Sequence, residues 1–338
     1  MTGPFDSLHV RPYELLCIIC RLGQARPSQP GEERLDAILQ AVRRQPTLPL
    51  TLRCNVDTVC QYQNPGTGED TPHGAFFNKK RDLDILQKLG LIPGDTRPAN
   101  ELFFRIFERI PTCMGICAYE TATSPLWAGC PQAAQGGYEK GHALGLAAVI
   151  PPRPDAERQG AKEESVRRIY AANRLFIRPH HLLCIACFHA GRQRPEPIEA
   201  DNIAAIIAVV QKNPEIPVTL RPGPCMVCMP CDCYDPATDQ CVGRNGRSLR
   251  DDKRDLDTLQ LLGLAYGDTL PARDLFRLLF QRIPTTRQVC AYGDGRQTGY
   301  EWSVCGDPKG SPRYEAAAKA GLGIPGLAPG APDGEPAK

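Results

Sequence analysis

The chain has 338 residues, a formal net charge of +2 and 42% hydrophobic residues. That length predicts two domains, each able to bury a core, and the even charge balance leaves no basic footprint for nucleic acid. No apolar run reaches the ~18 residues of a membrane span and no basic-then-apolar segment opens the chain, so a reducing cytoplasmic compartment is the expected location.

In chain order, residues 8–10 read as a short strand. They lead into Arg11-Pro12-Tyr13-Glu14-Leu15-Leu16-Cys17-Ile18-Ile19-Cys20. Proline suits the first turn of a helix, where its missing N–H would be unpaired anyway. Cys17 and Cys20, at i and i+3, then share a helix face. Leu35, Ile38, Leu39 and Val42 predict a second helix whose apolar stripe is core. An extended segment follows at 48–53, its early proline marking a strand start or an edge; parallel pairing with the first strand would make a right-handed crossover. A loop carrying Cys60 comes next. Lys79-Lys80-Arg81, followed by Asp82 and Asp84, reads as the solvated start of a helix over 82–89 that Gly90 stops. Phe103, Ile106, Phe107 and Ile110 form the buried stripe of another helix, closed by Pro111. A tail with Cys113, Cys117, Trp127 and Cys130 ends the unit.

The same order then returns. Arg178-Pro179-His180-His181-Leu182-Leu183-Cys184-Ile185-Ala186-Cys187 matches the first Arg-Pro segment. Arg254-Asp255-Leu256-Asp257 repeats Arg81-Asp82-Leu83-Asp84, and Cys290, Trp302 and Cys305 repeat Cys117, Trp127 and Cys130. A repeat of this length is a duplicated domain, not a solenoid unit. The expected fold is α/β, or mixed α+β, in two tandem homologous domains. Each has a short sheet, several helices and cysteine-rich metal-binding loops. The first copy occupies 1–150, a Pro-rich polar linker 151–164, the second copy 165–322, and a disordered Pro/Gly/Ala tail 323–338. The two copies are expected to pack together as a pair.

Sixteen cysteines in a long chain without an export signal point to metal before disulfides. Cys225, Cys228, Cys231 and Cys233, with Cys241 close behind, form a C-x2-C-x2-C run. Such spacing suits an iron–sulfur cluster, because short turns aim successive thiolates at one centre; a C-x2-C pair is equally half of a zinc site. Cys184 or Cys241 would be the fourth ligand. In the first copy Asp57 stands where the second has Cys225, so that run belongs to the second half alone. A second assignment fits equally: Cys17, Cys60, Cys117 and Cys130 correspond to Cys184, Cys228, Cys290 and Cys305, with Cys20 matching Cys187, giving one four-cysteine site per copy. His180 and His181, beside a cysteine ligand, either tune a centre and carry protons or cap the helix and pack on the core. They are the weak catalytic candidates; no Walker, dinucleotide, zinc-protease or nucleophile-elbow motif is present.

The Arg178–Cys184 stretch, Cys225 and Cys228 with Pro230, Cys241, and Cys290 with Trp302 and Cys305 together resemble the iron–sulfur-binding domain of unknown function 1284, a bacterial and archaeal family. The resemblance is clearest over 175–305; the first half resembles a divergent copy, with Tyr13 and Glu14 in place of the two histidines. It implies iron–sulfur binding, most simply a [4Fe–4S] cluster, and carries no established reaction. Electron transfer, or an accessory role in a redox enzyme system with a redox protein partner, is the leading expectation. Three alternatives stand beside it: a zinc-stapled interaction module, a cluster-dependent enzyme, and a thiol-redox sensor using Cys231 and Cys233.

Overall fold

In the computed structural model, which describes residues 7–25, 32–56, 74–192, 195–243, 247–299 and 301–328, strand β1 (Leu8–Val10) runs straight into helix α1 (Pro12–Gln24). Helix α2 (Glu33–Arg44) returns the chain to β2 (Pro49–Leu52), which pairs in parallel with β1, Leu8 opposite Leu50 and Val10 opposite Leu52. Parallel neighbours need a long crossover of this kind, because a tight hairpin only joins antiparallel strands. After α3 (Ala75–Leu89), β3 (Thr96–Pro98) adds antiparallel to β2. Helices α4 (Ala99–Arg109), α5 (Pro131–Ala134) and α6 (Gly137–Ala143) complete the first unit, Met1–Pro152. Its core gathers Leu15, Ile18 and Ile19 with Leu39, Val42, Leu52, Phe103 and Ile106. Each such side chain stabilises the fold by roughly 1.5–3 kcal/mol relative to exposure.

The second unit, Arg153–Lys338, repeats the plan. Helix α7 (Asp155–Ala171) precedes β4 (Leu175–Ile177), α8 (His181–His189), α9 (Ile203–Lys212) and β5 (Pro217–Leu220), with β4 and β5 parallel and Leu175 opposite Val218. A two-stranded ribbon, β6 (Tyr234–Asp235) with β7 (Gln240–Cys241), projects from the loop that follows. Helix α10 (Arg247–Leu262) leads to β8 (Thr269–Pro271), antiparallel to β5. Helices α11 (Ala272–Arg282), α12 (Arg287–Cys290) and α13 (Pro312–Lys319) close the unit. The fold is mixed α/β, with each three-stranded sheet small and the helices providing most of the core.

Helix α1 meets α6 backbone to backbone. A Cβ on Gly141 would lie 1.8 Å from the Ile19 carbonyl oxygen, and one on Gly23 would lie 2.2 Å from the Gly137 oxygen. Only glycine permits that approach, which brings α6 against the turn of α1 that carries Cys20.

Three readings of the sequence change. Asp155–Ala171 is helical, where its composition predicts a linker over 151–164. Only a narrow strip of it, Ser165 and Ile169, is buried, so most of its surface is polar. The chain beyond Gly321 continues into the core through Leu322, Ile324 and Leu327, where disorder is expected from 323; residues 329–338 lie outside the described residues. Helix α3 begins at Ala75, and Arg81 is buried, not part of a solvated helix start. Its guanidinium lies 3.7 Å from the Tyr13 ring centroid. Among the described residues, no helix is long and apolar enough to cross a membrane.

Candidate metal centres

A buried carboxylate fixes the start of each Arg-Pro helix. Asp255 Oδ1 accepts the His180 backbone N–H at 2.9 Å and the His180 ring Nδ1–H at 2.8 Å, while Oδ2 takes Arg178 Nε–H at 2.8 Å. In the first unit Asp82 Oδ1 accepts the Tyr13 N–H at 3.0 Å and Oδ2 takes Arg11 Nε–H at 2.6 Å. An acidic group at the positive end of a helix is favourable, and here it also neutralises a buried arginine. Burial lowers the His180 pKa to about 4, with His181 adding to the drop and Asp255 opposing it. His180 is therefore neutral at pH 7. A carboxylate only accepts, so the His180 proton sits on Nδ1 and the lone pair on Nε2.

The helix so fixed presents two cysteines to the closing segment of its own unit. Cys17, Cys20, Cys113, Cys117 and Cys130 line one cavity of about 20 Å³, with Arg81 and Tyr138. Burial pushes the Cys17 thiol up to about 12, against the pull of Arg81 and with Cys117 and Cys130 adding to it. Cys117 rises to about 11 for the same reason, again opposed by Arg81. The second unit has the same arrangement. Cys184 is held well above the usual thiol range by burial, and then by Cys290, Cys305 and Cys187. Burial likewise pushes Cys290 up to about 12, against Arg254 and with Cys305 and Cys187 adding. The Cys130 N–H donates to the Cys117 carbonyl at 2.7 Å, and the Cys305 N–H to the Cys290 carbonyl at 3.1 Å, so each late pair is tied together through its backbone. Arg254 Nη2 reaches the carbonyls of Cys290 and Ser303, both at 2.9 Å. Where the first unit has Cys113, the second has Thr286, whose hydroxyl accepts the Ser311 N–H at 2.9 Å.

The C-x2-C loop makes a different cluster. His181 Nδ1 lies 3.2 Å from Cys225 Sγ and 3.9 Å from Cys228 Sγ, and the two sulfurs are 4.0 Å apart. The Cys228 N–H donates to the Cys225 carbonyl at 2.8 Å, closing a tight turn. Asn202 holds that turn from α9: its N–H donates to the Val227 carbonyl at 3.1 Å and its Nδ2 to the Met226 carbonyl at 2.7 Å. Burial raises the Cys225 thiol, but Cys228, the backbone N–H groups of Arg178 and Val227, and the Arg178 charge more than offset it and hold it below the usual range. Cys228, hydrogen-bonded to Cys225 and buried, is held well above that range.

Cys231 and Cys233 gather with Asp232 in the next turn, and Cys241 sits on β7. Burial pushes Cys241 up to about 11, and among its neighbours Cys233 adds to the rise. Among the described residues three groups of ligand atoms fall within 4.8 Å of one another: His180, His181 and Cys184; His181, Cys225 and Cys228; and Cys231, Asp232 and Cys233.

Of Cys184, Cys225, Cys228 and Cys241, the set the sequence favours most strongly, the first three gather round His181, which lies within 4.8 Å of Cys184 and of the Cys225–Cys228 pair. Cys184 joins Cys187, Cys290 and Cys305; Cys225 and Cys228 face His181; Cys241 neighbours Cys233. Cys20 and Cys187 take the places that the repeat assigns to Cys60 and Cys228 in a four-cysteine site; Cys60 itself lies outside the described residues. The sequence reading passes over Arg11, Asp82 and Arg81, and over Arg178, Asp255 and Arg254. Their signal was the Arg-Asp-Leu-Asp motif preserved in both copies. Charged residues beside an apolar stripe read as surface until the fold closes over them.

No family model, no curated protein and no solved structure matches this chain. The resemblance noted above rests on its motifs alone.

Proposed function

We propose that the chain is a metal–thiolate redox protein whose two four-thiol pockets each hold an iron–sulfur cluster. The observation that carries this reading is the duplication of one donor set: Cys17, Cys20, Cys117 and Cys130 in one half and Cys184, Cys187, Cys290 and Cys305 in the other, each facing a buried arginine. The donors suit such a cluster. Four thiols are common to both pockets, with Cys113 a fifth in the first, and among the described residues no three of them crowd within the 4.8 Å that a single shared ion would impose. A cluster bound there would take up and release single electrons.

The residues around the pocket have definable work. Arg81 and Arg254 offset the negative charge of the thiolates, which favours the reduced state. The Asp82 and Asp255 locks hold α1 and α8 at fixed angles, so that Cys17 and Cys184 do not move between redox states. Cys305 is exposed, which gives the second pocket a short path to the surface and to a redox partner.

A second reading is favoured by the first-half cavity. Its volume of about 20 Å³ is that of one water-sized body, which suits a single zinc ion better than a cube of iron and sulfide. Metal and sulfide analysis of anaerobically purified protein separates the two. Equal iron and sulfide supports clusters; zinc alone, with loss of the fold on chelation, supports the structural module.

A further inference from the structure

We propose that His181, Cys225 and Cys228 form a mononuclear site for a divalent ion of the zinc class, confined to the second half and adjoining the four-thiol pocket through His181, which also lies within 4.8 Å of Cys184. The argument begins with edge lengths. Zinc binds thiolate sulfur at about 2.3 Å and imidazole nitrogen at about 2.0–2.1 Å, so a tetrahedral ion sets its ligand atoms roughly 3.5–3.8 Å apart. The three separations here are 3.2, 3.9 and 4.0 Å. A cluster cube binds each cysteine to its own iron and spreads the sulfurs much further, so this trio is shaped for one ion.

The surroundings agree with that assignment. The Val227 N–H, two residues beyond Cys225, points at the Cys225 sulfur, as does the Arg178 N–H. Amides directed at a thiolate are the second layer that a metal–thiolate turn requires. Two thiolates, a neutral imidazole and a dication sum to zero charge, which a buried site tolerates. Soft sulfur with imidazole selects zinc over magnesium or calcium. The site also has a mechanical purpose. It ties the loop after β5 to the first turn of α8, and Asn202 grips the same loop from α9. In the first half Glu14 stands in place of His181 and pairs with Arg34, while Asp57 and Cys60, the counterparts of Cys225 and Cys228, lie outside the described residues.

The test uses the full chain purified anaerobically, with zinc, iron and sulfide measured on wild type, H181N and C228S. The expected result is loss of one zinc equivalent in each variant, with iron and sulfide unchanged. Should C228S fold poorly, the wild-type protein still decides the matter: zinc-edge X-ray absorption should give a shell containing nitrogen and two sulfurs, and cobalt reloading should give the visible bands of a tetrahedral thiolate site. Zinc content indifferent to both variants, a zinc shell of four sulfurs, or iron and sulfide falling in step with zinc would overturn the proposal. If zinc behaves as expected and no iron is found anywhere, this site stands and the cluster reading falls.

Discussion

At the position after Arg-Pro-Tyr the first half carries Glu14; after Arg-Pro-His the second carries His181. Glu14 accepts the Arg11 N–H at 2.7 Å and pairs with Arg34, whose Nη2 donates on to the His9 carbonyl at 2.8 Å. His181 instead faces Cys225 and Cys228. The strand, the helix, the buried Arg–Asp lock and the four thiols remain in both units. The comparison teaches that the fold's fastening and its four-thiol pocket are separable. One copy closes the helix start with an organic ion pair and the other with a loop of thiols, while the deeper pocket stays the same.

The strongest way to sharpen this comparison is to remove one pocket at a time. Cys17→Ala and Cys184→Ala should each release the metal of their own half and leave the other, so iron per chain falls by about half in either variant. Metal binding by such thiols is worth on the order of 10 kcal/mol of folding free energy, so the affected half should also melt far earlier. Each half has its own tryptophan, Trp127 or Trp302, so fluorescence of W127F and W302F backgrounds follows the halves separately. Equal loss of metal from both halves in either variant would break the two-pocket account.

The lock comes next. Asp82→Ala removes the carboxylate that pairs with buried Arg11 at 2.6 Å, and breaking such a pair costs about 3–5 kcal/mol. Asp255→Ala should cost less than the Asp255→Ala/Asp252→Asn double variant, because Arg178 also reaches Asp252 at 3.0 Å. Urea unfolding followed through Trp127 and Trp302 measures all three; an equal cost for the single and double variants of the second half would contradict the role given to Asp252.

These locks mark where sequence reading stopped. The strands, the Arg-Pro helices and the stripes at Leu35–Val42 and Ile203–Val210 were legible, because period and proline position depend on local geometry. The repeat itself exposed the shared cysteines. What was not legible was which thiols meet, since that depends on how α1 and α8 face the closing segments, and on Gly23 and Gly141 letting α6 approach. Spacing alone joins Cys184 to the C-x2-C loop; in three dimensions it lies between His181, which faces that loop, and the closing cysteines Cys290 and Cys305. Helix α7 was hidden for a related reason: a helix that buries only one strip has a linker's composition.

The effect of pH is smaller and has opposite signs with and without metal. In metal-free protein, Cys17 and Cys290 are pushed up to about 12 by burial. A folded pKa above the unfolded one means stability that is full below the unfolded thiol pKa, about 8.5, and lost as pH rises through about 12. Metal-bound thiolates reverse the sign, with stability lost as pH falls. The gap in melting temperature between loaded and stripped protein should therefore widen from pH 6 to pH 9; a constant gap would mean the thiols are not the ligands. The smallest effect is expected of Asp252→Asn, whose partly exposed pair with Arg178 contributes about 0–1 kcal/mol. Lys79 stands at the matching position of the first half, so Lys79→Asn is the control and should leave Trp302 melting unchanged.

The most direct test of the central claim is a metal and sulfide count with a visible spectrum on anaerobically purified wild-type protein, repeated on C17A and C184A. The account predicts iron and sulfide in equal amounts, broad visible absorption that bleaches with dithionite, and half the iron in either variant. A colourless protein carrying zinc in every site, with no sulfide, would contradict it.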